Sequence, residues 1–359
     1  MARFSPFLTK SPHPKVGLKD DIRLYPVTKE ALEALEALLA AGDGVESPTW
    51  DWTRDQCAEW IDNFVVPLFA EFLPLWAGPV PEEITTSVSK TDMEYEGIKI
   101  RILKATSAKE TLPVVVYLHG GGFAVATSTG SFYDPYLTRL AALGECIIVA
   151  VDFVSTLDKP FPAGLDECHK VVKWVVAGGT PGVPKGKVTI AGDSAGGALA
   201  MGVTLRAKQE DWVSEIAGVY LLCPWLDGVT KDERYPSLEE FDGYWLNEGS
   251  IIAFITCLCK PSSKEEWLKN PQLFAMNATN DALQGLPPIK TIVMECDMIR
   301  DIGIAFHYKL KKAGVEASLE VISGGIHVQQ LFTSHSPEVT NQSIHDLAAF
   351  AKYVSKKKE

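Results

Sequence analysis

The segment Val188-Thr189-Ile190-Ala191-Gly192-Asp193-Ser194-Ala195-Gly196-Gly197-Ala198-Leu199-Ala200 decides how the chain is read. A short apolar run enters a G-x-S-x-G turn, and a small-residue helical run leaves it. A serine on so sharp a turn needs small neighbours. They let strand and helix approach until Oγ projects above the sheet at a helix N-terminus. A bare G-x-S-x-G string is common and is often an ordinary turn. Its place between an expected strand and an expected helix makes Ser194 a candidate nucleophile rather than a turn serine.

A second apolar run, Val114–Leu118, leads directly into His119-Gly120-Gly121-Gly122-Phe123. Consecutive glycines leave backbone N–H groups unobstructed, and two aimed at one point stabilise the oxyanion that forms when a hydroxyl attacks a carbonyl. A phosphate cradle would want Lys-Ser/Thr after the glycines, and Phe123-Ala-Val-Ala supplies none. A serine nucleophile also needs a base, and a carboxylate to hold that base in the right tautomer. Asp297 falls just past the run Ile292-Val-Met294, with Asp301 as its rival four residues on. Asp301 suits a carboxylate in the first turn of a helix, so Asp297 leads. His327 falls past Leu319-Glu-Val-Ile322 on a loop softened by Gly324 and Gly325. His335 and His345 lack that setting, as do His13, His169 and His307. The chain order Ser, Asp, His is that of the α/β-hydrolases, and all three positions fall at the same edge of the expected sheet.

With HGGGF, GDSAGGALA and DMIRD in this order, the chain resembles the hormone-sensitive-lipase-like carboxylesterase branch of the α/β-hydrolase superfamily over most of residues 84–355. The resemblance implies Ser194 as nucleophile, Asp297 as acid and His327 as base. It implies an oxyanion hole from the N–H groups of Gly121, Gly122 and Ala195, with His119 organising that loop. Asp193 is expected to fix the turn by hydrogen bonding. Phe123 and Trp225, the latter in Pro224-Trp-Leu-Asp227, are expected in the substrate pocket. The chain departs from the family at three places. Phe153-Val-Ser-Thr-Leu-Asp158 replaces Y-R-L-A-P-E, Met298 replaces the proline after the acid, and Val328 follows the histidine where glycine is common.

The 359 residues carry 34 Lys and Arg against 46 Asp and Glu, a net charge of −12 that disfavours phosphate-backbone and anionic-membrane partners. Lys356-Lys-Lys358 reads as a solvated tail. With 46% hydrophobic and 22% charged residues the chain is globular. Seven scattered cysteines look like core thiols, and no His or Cys cluster completes a zinc pattern. The longest hydrophobic stretch, Phe64–Trp76, is broken by Pro67, Glu71 and Pro74 and is too short for a membrane span.

The expected fold is α/β: an α/β-hydrolase sheet of about eight mostly parallel strands flanked by helices, with an N-terminal helical cap over residues 1–83 and a catalytic domain over 84–359. The cap holds an amphipathic helix at 29–41 and a second beginning at the capping box Thr53-Arg-Asp-Gln56 and running to Val66, where Pro67 resets the segment through Trp76. Segments 84–90 and 93–104 read as an antiparallel pair. Helices are expected at 163–178, 195–209, 302–314 and 344–355. The functional expectation is a cofactor- and metal-independent serine carboxylesterase acting on small to medium acyl esters in the cytoplasm, as a monomer or homodimer. The alternatives are a non-catalytic small-molecule receptor on the same fold, and an amidase or lyase using the same site.

Overall fold

The computed structural model describes residues 21–26, 28–30, 32–33, 46–106, 112–259 and 264–357. Eight strands form one sheet: β1 (Val88–Tyr95), β2 (Ile98–Ala105), β3 (Val114–Leu118), β4 (Ile147–Asp152), β5 (Val188–Asp193), β6 (Ile216–Leu222), β7 (Ile289–Met294) and β8 (Ala317–Ile322). Their spatial order is β1-β2-β4-β3-β5-β6-β7-β8. β1 and β2 pair antiparallel, β2 is antiparallel to β4, and the remaining six strands run parallel. Strands β3, β5 and β6 are buried along their whole length. Their continuous apolar runs are what a parallel strand covered on both faces requires.

The first hairpin differs from its expected limits. Residues 82–86 form a helical turn, and the strands meet at Glu96-Gly97, with φ of 49° and 81°. Two successive left-handed residues match the twist of a tight two-residue hairpin, and this pulls the turn past the position suggested by side-chain alternation.

The principal helices are α1 (Arg54–Trp60), α2 (Leu73–Ala77), α3 (Asp134–Leu143), α4 (Ala163–Val176), α5 (Ala195–Gln209), α6 (Ser237–Glu240), α7 (Glu248–Leu258), α8 (Arg300–Lys312) and α9 (Pro337–Lys356). α3 and α9 pack on each other and on the sheet, α4 packs on α5, and α5 and α8 also lie against the sheet. The capping box at Thr53 and Gln56 forms as expected. Pro67 does not reset the chain. It sits at φ −61° and ψ −37° within a continuous helical path to Ala77. Wide π turns over Ile61–Val65 and Leu68–Phe72 flank it and relieve the clash a proline ring makes in a tighter turn. Of the expected helix at 29–41, residues 29–30 and 32–33 are helical, and 31 and 34–41 lie outside the described residues, as do His13 and Lys358. Among the described residues no helix is long and apolar enough to cross a membrane.

The N-terminal segment is tied to the body at several points. Arg23 bridges Asp21 and Glu240 of α6, Thr28 accepts a hydrogen bond from Gln329 Nε2, and Ser334 N–H donates to the Trp76 carbonyl. α7, inserted between β6 and β7, packs on α1. The helices above the sheet therefore come from two stretches of chain, one before β1 and one after β6. All seven cysteines are buried and unpaired.

Candidate active site

The order β4-β3-β5 reverses direction at β3, and in an open α/β sheet ligands bind at such a switch point, beyond the carboxyl ends of the strands. The glycine loop leaves β3 there and the Ser194 turn leaves β5. Ser194 has φ 53° and ψ −120°, a strained conformation that aims its side chain out of the turn. Glycine is required around it. A Cβ on Gly196 would lie 2.0 Å from the Leu118 carbonyl oxygen, and one on Gly192 would lie 2.4 Å from the Gly196 oxygen. Backbone bonds from Ser194 N–H to the Leu222 carbonyl and from Trp225 N–H to the Ser194 carbonyl clamp the turn against the end of β6.

The tertiary structure brings together the three residues singled out from sequence. His327 Nε2 lies 2.9 Å from Ser194 Oγ, and its Nδ1 lies 2.8 Å from Asp297 Oδ2. All three are buried. Asp297 Oδ1 also accepts the Ile299 N–H, which fixes the carboxylate plane. Asp301 is engaged elsewhere. It accepts from Ser237 N–H at 2.8 Å and from Arg300 Nε at 2.8 Å, and so joins α8 to α6. His335 packs against Trp76, and His345 lies on α9.

A thiol, a carboxylate and an imidazole from Cys223, Asp297 and His327 lie within 4.8 Å of one another. Both ring nitrogens of His327 are already engaged in the chain to Ser194 and Asp297, so the trio matches a proton-transfer array better than a metal site.

Supporting groups surround this array. Asp193 is fully buried and accepts from Tyr117 Oη at 2.8 Å and Tyr133 Oη at 2.6 Å. Burial, only partly offset by those two bonds, pushes its carboxyl up to about 6. Burial and the facing carboxylate hold both phenols in the protonated, donating form. Tyr133 Oη in turn accepts the Gly120 N–H at 2.8 Å. His119 stacks on Phe153, 4.2 Å between ring centres, and its Nδ1 lies 2.7 Å from the Gly120 oxygen. Burial lowers its basicity. Val328 holds φ 54°, a strained value for a β-branched residue and the reason glycine suits this position.

A cavity opens above Ser194. Trp60, Phe64, Phe69, Phe132, Trp225, Trp245 and Phe254 give it an aromatic lining, and Gly121, Gly122 and His327 line it beside Ser194. None of the lining residues is Asp, Glu, Lys or Arg. Of the two residues expected in the substrate pocket, Trp225 lines this cavity. Phe123 does not line it. The loop, at φ 65° there, places that ring behind Trp225, 5.7 Å away between centres. Asn247, Ile251 and Phe254 of the α7 region line the cavity without having been singled out from sequence. Their signal was present in Asn247-Glu-Gly-Ser250, a capping box followed by an apolar run.

Residues 115–331 match a family model described as alpha/beta hydrolase fold. Over the whole molecule the structure is similar to brefeldin A esterase, described as a bacterial homologue of human hormone sensitive lipase: TM-score 0.83 at 26% identity, covering 95% of this chain and 97% of that one. Carboxylesterase NlhH of Mycobacterium tuberculosis is 28% identical over 273 residues, 73% of this chain and 81% of that one. Gibberellin receptor GID1A of Arabidopsis thaliana is 28% identical over 223 residues, 58% of this chain and 60% of its own. The chain belongs to the alpha/beta hydrolase fold family. Within it, the protein falls in the hormone-sensitive-lipase-like carboxylesterase branch and is a carboxylic ester hydrolase.

Proposed function

We propose that Ser194, His327 and Asp297 form the catalytic triad of a serine carboxylesterase that takes uncharged, apolar acyl esters of small to medium size. The unbroken chain of hydrogen bonds from Ser194 Oγ through both nitrogens of His327 to Asp297 carries this reading. Ser194 Oγ attacks the ester carbonyl carbon while His327 Nε2 takes its proton, and Asp297 stabilises the imidazolium that forms. The carbonyl oxygen, now negative, is held by the N–H groups of Gly121, Gly122 and Ala195. Ala195 opens α5, where the first amides have no partner within the helix. Collapse of the tetrahedral intermediate expels the alcohol, which leaves with the proton from His327. Water then attacks the acyl-enzyme, His327 again acting as base, and the carboxylic acid departs.

The aromatic, charge-free wall supports apolar substrates, because bringing an ionised group into it forfeits hydration without an ionic partner. The described part of the first 83 residues, joined by α7, acts as the cap over this cavity. Seven buried thiols support a reducing, cytoplasmic setting. Similarity to a gibberellin receptor raises the reading of a binding protein without turnover. The intact Ser194–His327 contact supports hydrolysis instead. The test is fluorophosphonate labelling of Ser194, followed by turnover on matched panels of neutral esters, charged esters and amides. Labelling with ester turnover upholds the proposal. Absence of both returns the protein to the receptor reading, and faster amide turnover makes it an amidase.

A further inference from the structure

The segment Phe153–Asp158, where the sequence departs from its family, braces the glycine loop from below. Thr156 N–H donates to the Phe123 carbonyl at 2.9 Å, and Ser155 Oγ donates to the Ala124 carbonyl at 2.6 Å while accepting the Leu157 N–H. No arginine lies within this segment. One reaches it from outside: Arg54, the first residue of α1, donates Nη2 to the carbonyls of Thr156 at 2.7 Å and Leu157 at 2.9 Å. The same residue also meets the other half of the cap, since Cys257 Sγ of α7 lies 3.8 Å from the Arg54 carbonyl. One turn earlier on α7, Phe254 covers Gly122 so closely that a Cβ there would sit 2.5 Å from its ring.

We propose that Arg54 is a positioning residue for the oxyanion loop, supplied by the cap. Its guanidinium holds the 153–158 segment, that segment holds Phe123 and Ala124, and these set the Gly121 and Gly122 amides beside Ser194. The loop needs such a brace because Gly121, Gly122, Phe123 and Ala126 all have positive φ, so its conformation is one the chain would not keep unsupported. The proposal rests on the esterase reading given above.

The experiment compares wild type, Arg54→Ala, Arg54→Lys, Ser155→Ala and the Arg54→Ala/Ser155→Ala double variant on a short-chain p-nitrophenyl ester, with thermal midpoints measured alongside. Displacing transition-state donors by a fraction of an ångström is expected to cost about tenfold in kcat while KM stays within about twofold. Arg54→Lys, which keeps a cationic N–H donor group but not the planar guanidinium, recovers part of the loss. Ser155→Ala lowers kcat in the same direction. The double variant falls short of the product of the singles, because both act through one segment. An unchanged kcat in Arg54→Ala, a rise in KM alone, or a double variant equal to the product of the singles overturns the proposal. If Arg54→Ala does not fold, Arg54→Lys and Ser155→Ala decide it by the same split of kcat against KM. Failure of wild type itself to turn over the ester would instead strike the esterase reading, so the two failures are distinct.

Discussion

Tyr133 Oη donates to Asp193 Oδ2 at 2.6 Å and, through its lone pair, accepts the Gly120 N–H at 2.8 Å. One phenol thus links Asp193, the residue before Ser194, to the start of the glycine loop, and both side chains are buried. Tyr133→Phe leaves a carboxylate oxygen and an amide short of a partner. The expected cost is about 1–3 kcal/mol in denaturant unfolding, together with a lower kcat for ester hydrolysis. A variant matching wild type in both would show that the link is dispensable.

Asp193 also gives stability a pH dependence of defined sign. Its carboxyl is raised from 3.8 to about 6 by burial, so between these values the folded protein holds a proton that the unfolded chain has released. Its contribution is present below about pH 4 and is lost as pH rises towards 6. Asp193→Asn removes the effect. Relative to wild type, the variant gains stability from pH 4 to 6, by up to about 3 kcal/mol, and levels off above. Urea midpoints for both proteins across pH 4–7 check this, and a constant difference across the range contradicts it.

Turnover should depend on the triad as a unit. Ser194→Ala is expected to lower kcat by about 10⁶-fold and to abolish fluorophosphonate labelling, and Asp297→Asn to lower kcat by about 10⁴-fold with little change in KM. Asp301→Asn, at the rival carboxylate, should lower the unfolding midpoint through its lost bonds to Ser237 and Arg300 while sparing kcat. A larger kcat loss at Asp301 than at Asp297 would reverse the assignment.

Deleting residues 1–83 should not leave a working hydrolase. Trp76 and Ala77 carbonyls accept bonds from the 333–334 loop, and Arg23 reaches Glu240. Deletion would also uncover the apolar rings of Trp245 and Phe332, against which Trp76 packs. Loss of soluble, cooperatively unfolding protein is the expected result in a thermal melt of residues 84–359. A stable truncated chain would show the first 83 residues to be an accessory.

Much of this was legible because strand, turn and helix signals are local. Short apolar runs located six parallel strands, and the glycines around Ser194 marked the one turn that steric contact with Leu118 and Gly196 restricts to glycine. The limits of the first hairpin and the path through Pro67 were misplaced, because both depend on backbone geometry that neighbouring packing selects. The helix α7 beside the cavity was not legible in the sequence. Glu248–Leu258 is apolar on most sides, and a helix buried all round has no amphipathic stripe to show which partner it faces.

The sequence by itself determined which residue types follow which strands: a serine on a tight turn after β5, an aspartate after β7, a histidine after β8 and the glycine loop after β3. Chain order and local steric need suffice for that. Only the tertiary structure set Asp297 beside His327 and Asp301 beside Ser237, turned Phe123 away from the cavity, brought Arg54 to the Thr156 and Leu157 carbonyls and laid Phe254 over Gly122. Those relations join residues 30 to more than 100 positions apart, and they exist only once the sheet has brought its carboxyl edge together beneath the cap.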